Sequence, residues 1–167
     1  MKRLVLAGAG HAHALVLRQW LPQPPAGVEV VVVSPEPLAP YSGMVPGWLA
    51  GLYRYDEIVV DFPALAQAAG ARWLQGEVQA LCPERQQLQL SDGSALDYDL
   101  LSLNLGSTLR PPPTRHARML PLRPLALLRR CYEPLLERWA VEHGGGPCVV
   151  TAVGGGAAGY YRIVRLR

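Results

Sequence analysis

The apolar positions of this chain come in short solid runs separated by glycine and proline. Leu4-Val5-Leu6-Ala7 is unbroken by any polar residue and stops at Gly8-Ala9-Gly10. A run of this length ended by glycines predicts a strand covered on both faces. Helical spacing starts immediately after it. Ala12, Leu15, Val16 and Trp20 are expected on one face of that helix, and the three prolines between Trp20 and Gly27 stop it. Val28 to Val33 is β-branched nearly throughout and predicts a second doubly covered strand. Strand, helix and strand make a βαβ unit whose right-handed crossover puts the glycine turn at the carboxyl edge of a parallel sheet.

Downstream the pattern changes twice. Asp61 to Gly70 predicts a short helix, capped by Asp61, with Pro63 in its first turn and Gly70 at its end. From Ala71 to Ser107, partial alternation in Arg72–Leu81, clean alternation in Gln87–Leu90 and the turn residues Ser91–Ser94 predict a small antiparallel meander. Leu96–Ser107 then reads as a strand returning to the main sheet. Leu109–Pro124, rich in proline and arginine, reads as a linker. Leu125, Leu128, Tyr132, Leu135, Leu136 and Trp139 share one helical face, with Pro134 predicting a kink or two short helices and Gly144-Gly145-Gly146 an end. Pro147–Val153 is a last strand. It runs into Gly154-Gly155-Gly156-Ala157-Ala158-Gly159, a second and complete three-glycine turn. The expected architecture is α/β: a Rossmann-like domain over residues 1–110, a linker and helix over 111–146, and the first strand of a second dinucleotide-binding domain over 147–167.

Composition narrows this little further. Of the 167 residues half are hydrophobic and 17% charged, which excludes a disordered chain. A net charge of +3, thinly scattered, gives no footprint for nucleic acid. Cys82, Cys131 and Cys148 lie far apart without zinc spacing, and read as reduced thiols in a cytoplasmic protein. The basic start runs straight into a glycine loop, so neither a signal peptide nor a membrane span is expected, while peripheral contact with the inner face of a membrane stays open. His11 and His13, one residue apart and without nearby carboxylates, are expected near phosphates, and no metal site is expected.

The chemistry lies at the turns. Main-chain amides and the positive end of a helix dipole converge at Gly8-Ala9-Gly10, where a pyrophosphate can sit. Gly8 allows the turn and Gly10 close approach; His13 stands where a dinucleotide fingerprint has its third glycine. At the end of the second strand, Glu36 reaches a ribose, or Ser34 donates a weaker bond, or the acid is merely solvated. Tyr41 and Met44 within the Gly/Pro-rich stretch Pro40–Gly47 point either to a rigid segment along a flat apolar ligand or to an ordinary packed turn.

These motifs, in this order, resemble the FAD-dependent pyridine nucleotide-disulfide oxidoreductase superfamily. The chain is most similar to its type II NADH dehydrogenase-like branch, including the oxidoreductase domain sometimes fused to selenophosphate synthetase. Gly8-Ala9-Gly10-His11-Ala12-His13 is similar to that branch's Gly-x-Gly-His-x-His opening, Tyr41–Gly47 to its Tyr-Ser-Gly-Met-x-Pro-Gly signature, and Tyr98–Ser107 to the second FAD motif.

The resemblance implies that Gly8, Gly10 and His11 lie at the FAD pyrophosphate and Ser34 and Glu36 near the ribose. It further implies Tyr41, Ser42, Gly43, Met44 and Pro46 along the flavin ring, Val78 near the adenine and Gly106 and Ser107 closing over the cofactor. Gly154, Gly156 and Gly159 would begin an NAD(P)H site. The implied activity is hydride transfer from NAD(P)H to flavin and on to a small-molecule acceptor such as a quinone. Tyr41–Pro46 holds no cysteine, which disfavours the disulfide route. The 20 residues from Cys148 to Arg167 fall short of a second βαβ unit, which needs about 30 or more. The chain is therefore expected to be an incomplete fragment of such an enzyme, inactive alone. The rival readings are a catalytically inactive module that keeps the nucleotide fold, and an NAD-binding Rossmann protein with one cofactor.

Overall fold

A computed structural model describes residues 1–108 and 120–144. They fall into two compact units. One takes Met1–Ala39 and Val60–Gly106; the other takes Pro40–Val59 with the described residues from Ser107 onward. In chain order the elements are β1 (Lys2–Ala7), α1 (His11–Trp20), β2 (Val28–Ser34), β3 (Leu38–Pro40), α2 (Val45–Leu49), β4 (Val59–Asp61) and α3 (Phe62–Ala68). They continue with β5 (Arg72–Gln75), β6 (Val78–Cys82), β7 (Gln87–Leu90), β8 (Ala95–Asp97), β9 (Leu100–Leu103) and α4 (Leu125–His143). The second three-glycine turn, with Gly154, Gly156 and Gly159, lies outside the described residues.

The first unit has three layers. Its centre is a parallel sheet in the order β5-β2-β1-β9, with Ala7 level with both Val33 and Leu103. Both inner strands are covered on both sides, which is why they read as unbroken apolar runs. Leu6, Val30 and Val32 face a helical layer containing Leu17 of α1 and Phe62 and Ala66 of α3. Val5, Ala7, Val31 and Val33 face Leu88, Leu90 and Leu96 of the antiparallel β6-β7-β8 meander. Each fully buried valine contributes about 1.5–3 kcal/mol relative to an exposed one. At the amino end of the sheet Arg3 Nε donates to Glu29 Oε2 at 2.7 Å, with Arg72 at 3.6 Å from the same carboxylate. The hydrogen bond from Arg3 holds the Glu29 carboxyl below its ordinary value.

The Asp61 cap is present: its Oδ1 accepts from the Ala64 amide at 3.0 Å, and Pro63 lies in the first turn. Asp61→Ala leaves that amide unsatisfied and is expected to cost about 1 kcal/mol, measured as a lower midpoint in urea.

Four expectations are corrected or narrowed. Arg72–Gln75 is not part of the meander but the outer strand of the parallel sheet, in register with Val31–Ser34. Its two adjacent apolar residues serve two covered faces, Trp73 packing toward Phe62 and Leu74 toward the meander. Pro40–Gly47, open to reading as a rigid segment along a ligand or a packed turn, is a turn that winds into the helix α2 from Val45, because Pro46 suits a first helical turn and Trp48 has a core to enter. Of the two readings of Pro134, that of two short helices gives way: α4 runs as one helix across it to Gly144, a left-handed cap at φ 54°. Pro134 lies on the exposed side of the helix. Finally, α1 is turned from the expected face: His13 and Leu17 are buried, while Leu15 is 56% exposed.

Candidate functional site

In the first unit the register brings the carboxyl ends of β1, β2 and β9 side by side, with the Gly8–Gly10 turn leaving the middle strand. Gly8 sits at φ +98°, a conformation that side chains rarely adopt. Its amide donates to the Val33 carbonyl at 2.7 Å, and the Asn104 amide donates to the Ala7 carbonyl at 2.8 Å. A side chain on Gly8 would fall on the Asn104 backbone carbonyl and within 2.9 Å of the Leu105 Cα. The turn is thus pressed against the strand that returns some 90 residues later. Gly10 has no side chain because the Asn104 carboxamide fills the space one would need.

The turn opens directly into a helix. Gly10 caps α1 without a side-chain hydrogen bond, and no acidic residue stands in its first turn. The amides and positive dipole end of a ten-residue helix therefore meet no acid from that turn, which suits a diphosphate. His11 is exposed at this end. Ser34, at the tip of β2, is 7% exposed, and its carbonyl accepts from the Gly76 amide at 3.1 Å. Glu36 is half-buried. Gln75 Nε2 donates to the Pro35 carbonyl at 3.1 Å, tying the end of β5 to the residue that follows β2. Val78 is half-buried on β6 against the meander core, where the register slips by one residue. Gly106 lies just beyond β9 at φ +78°, with open space around it.

His13 is the residue that reading for apolar spacing passed over. It is 2% exposed, wedged where a fingerprint glycine would let helix and strand touch. Its Nδ1 lies 2.7 Å from the Gly8 carbonyl and its Nε2 2.9 Å from Ser102 Oγ on β9. A carbonyl only accepts, so Nδ1 carries the proton and Nε2 accepts from the serine hydroxyl. Both ring nitrogens are committed, and neither is left for a metal. Burial pushes its pKa down, the Gly8 bond opposing this in part. The folded state therefore resists the proton that the unfolded chain accepts. Stability is expected to be full above the ordinary histidine value, to fall on acidification through it, and to level off below the depressed pKa. His13→Asn is expected to flatten this part of the profile, read by urea midpoints across the acid range.

The second unit is built on Trp48. Its ring lies 5.2 Å from those of Tyr55 and Tyr132, both edge-on, with Leu128, Ile58 and Val45 closing the cluster. Tyr132 Oη donates to the Leu49 carbonyl at the end of α2, at 2.9 Å, and the Arg129 guanidinium lies 4.6 Å over Tyr55. Upstream, the Tyr41 amide donates to the Ile58 carbonyl and the Met44 amide to the Tyr41 carbonyl, so the signature stretch is a hydrogen-bonded turn leading into α2. Tyr41, Ser42 and Gly43 are exposed, Pro46 is half-buried, and Met44 packs against the Trp48 cluster rather than presenting itself outward. A side chain on Gly43 would crowd the Tyr41 ring at 3.1 Å. Ser107 is exposed.

A parallel sheet with a meander on one face, helices on the other and a glycine turn at its carboxyl edge defines a Rossmann-like nucleotide-binding fold. No family model matches the chain. Among curated proteins, putidaredoxin reductase of Pseudomonas putida is 39% identical over 82 residues, which are 48% of this chain and 19% of that reductase. The crystal structure of the covalent putidaredoxin reductase–putidaredoxin complex matches 70% of the chain at 27% identity with a TM-score of 0.56, using 28% of the solved chain. Water-forming NADH oxidase from Lactobacillus brevis, solved with NADH bound, matches 68% at 20% identity and a TM-score of 0.57, over 27% of its length. Sulfide:quinone oxidoreductase from Aquifex aeolicus matches 60% at 20% identity and a TM-score of 0.51, over 23% of its length. The matches thus take in about a fifth of the curated reductase and about a quarter of the three solved chains. Among the described residues no helix is long and apolar enough to cross a membrane.

Proposed function

We propose that this chain is the FAD-holding part of an NAD(P)H-dependent flavoprotein oxidoreductase, of the type II NADH dehydrogenase-like branch. The observation that carries this reading is the Gly8–Gly10 turn, clamped between β2 and β9 and opening onto a helix with no side-chain cap and no acid in its first turn. The likeness to putidaredoxin reductase and to NADH oxidase supports it.

In this reading the amides of Ala9, Gly10 and His11 hold the diphosphate, and their fixed direction supplies charge stabilisation without a lysine or arginine. Ser34 or Glu36 takes the ribose, Val78 lies beside the adenine, and Gly106 and Ser107 close over the cofactor. Tyr41, Ser42, Gly43, Met44 and Pro46 flank the flavin ring, and Gly154, Gly156 and Gly159 begin the NAD(P)H site. When bound, the flavin supplies the hydride chemistry, carrying two electrons from NAD(P)H to an acceptor such as a quinone. The chain's own residues position it and exclude water. With no cysteine between Tyr41 and Pro46, a dithiol relay has no place there. The setting is cytoplasmic, with contact at the inner face of a membrane.

The test is the purified chain mixed with FAD and then with NADH. A yellow protein bleached by NADH supports the oxidoreductase. A yellow protein that NADH leaves unchanged supports a cofactor-holding module without turnover. A colourless protein that binds NAD but not FAD overturns the reading.

A further inference from the structure

We propose that His13 is a positioning residue for the diphosphate: its imidazole, spanning from the Gly8 carbonyl to the Ser102 hydroxyl, does in this turn what a third glycine does elsewhere. A fingerprint glycine at this position lets helix and strand approach directly. Here the same position carries a ring that is 2% exposed and bonded at both ends. The ring fills the gap instead of allowing it to close.

The geometry gives the strut a specific task. The Gly8 peptide is gripped from two sides, its amide by Val33 and its carbonyl by His13. The Gly8 carbonyl and the Ala9 N–H share one peptide plane and point opposite ways, so drawing the carbonyl inward turns the Ala9 amide outward. The Gly10 and His11 amides follow it at the start of α1, where no side chain caps the helix. Ser102 fixes the other end. By donating to Nε2 it holds the proton on Nδ1, where the Gly8 carbonyl needs it. The pair is 89 residues apart in sequence and joins the two segments that the glycine turn and the second motif contribute. Restoring the fingerprint with glycine at position 13 should therefore weaken diphosphate binding, the opposite of what the motif alone predicts.

This inference rests on the proposed nucleotide site, and its test separates the two. In the full chain, His13→Gly and Ser102→Ala are each expected to raise the FAD dissociation constant about tenfold or more, a shift of about 1.4 kcal/mol. Ser102→Thr, which keeps the hydroxyl, should stay within about twofold. Variants are compared at temperatures where circular dichroism shows each to be folded, so lost stability is not mistaken for lost affinity. The chemical discriminator is ADP against adenosine: a positioning role weakens ADP and leaves adenosine unchanged, whereas a merely structural role weakens both equally and overturns the proposal. Unchanged or tighter FAD binding by His13→Gly also overturns it. If the wild-type chain binds neither FAD nor ADP, the proposed function fails on its own account. The strut is then judged by long-range proton–nitrogen spectra of the histidine rings. Nδ1 protonated and Nε2 bare supports it, and the reverse tautomer overturns it.

Discussion

Gly8→Ala is expected to cost several kcal/mol and to unfold a large part of the first unit's population. Two penalties combine. The backbone at φ +98° strains any side chain, a cost of about 1–3 kcal/mol. The added methyl would also fall on the Asn104 carbonyl, which is main chain and cannot swing aside. Relief requires pulling β9 from β1, whose pairing Asn104 continues through its bond to Ala7. Gly27→Ala is the control. It has φ +73° but open space, so it carries the conformational cost alone, about 1–3 kcal/mol. Urea denaturation of the two variants separates the terms; equal losses would mean that the close approach of β9 to the turn carries no energy.

Trp48→Ala is expected to cost about 3–5 kcal/mol in the second unit. Trp48 is the ring that Tyr55 and Tyr132 both meet edge-on, so its loss takes an aromatic contact from each and leaves a void the size of an indole. Trp48→Phe keeps a ring and should recover a good part of this. The near-ultraviolet dichroism of the clustered rings is the readout, because it reports fixed aromatic packing directly. The effect should reach the signature turn: Met44 packs on this cluster and the Met44 carbonyl accepts from the Trp48 amide. A variant that loses the aromatic signal while keeping its urea midpoint would contradict this account.

Parts of this molecule are legible one residue at a time. Val28 to Val33 is β-branched because both faces of β2 are covered, and the composition says so without the fold. Asp61, Pro63 and Gly70 act through neighbours three or four residues away, so their spacing carries the meaning. The face of α1 was misjudged because a buried histidine breaks an apolar count; the spacing His13, Leu17, Trp20 was there but reads as inward only if His13 has partners. Those partners, Gly8 and Ser102, become visible only when β9 lies beside β1. Asn104 is hidden for the same reason. Its importance comes from touching Gly8 and Gly10, contacts that no local pattern encodes. Arg72–Gln75 reads with the meander because four residues, two of them adjacent and apolar, carry too little pattern to choose a sheet, and the choice is made by Val31–Ser34 from across the fold.

The double commitment of the Gly8 peptide has a last consequence. Its N–H belongs to Val33, so no ligand can recruit that donor without breaking the fold, and its C=O already accepts from His13. Deuterium uptake at Gly8 should be slow in the empty protein and no slower with nucleotide added. Any change on loading belongs to Ala9, Gly10 and His11, which makes this one amide an internal standard for its neighbours.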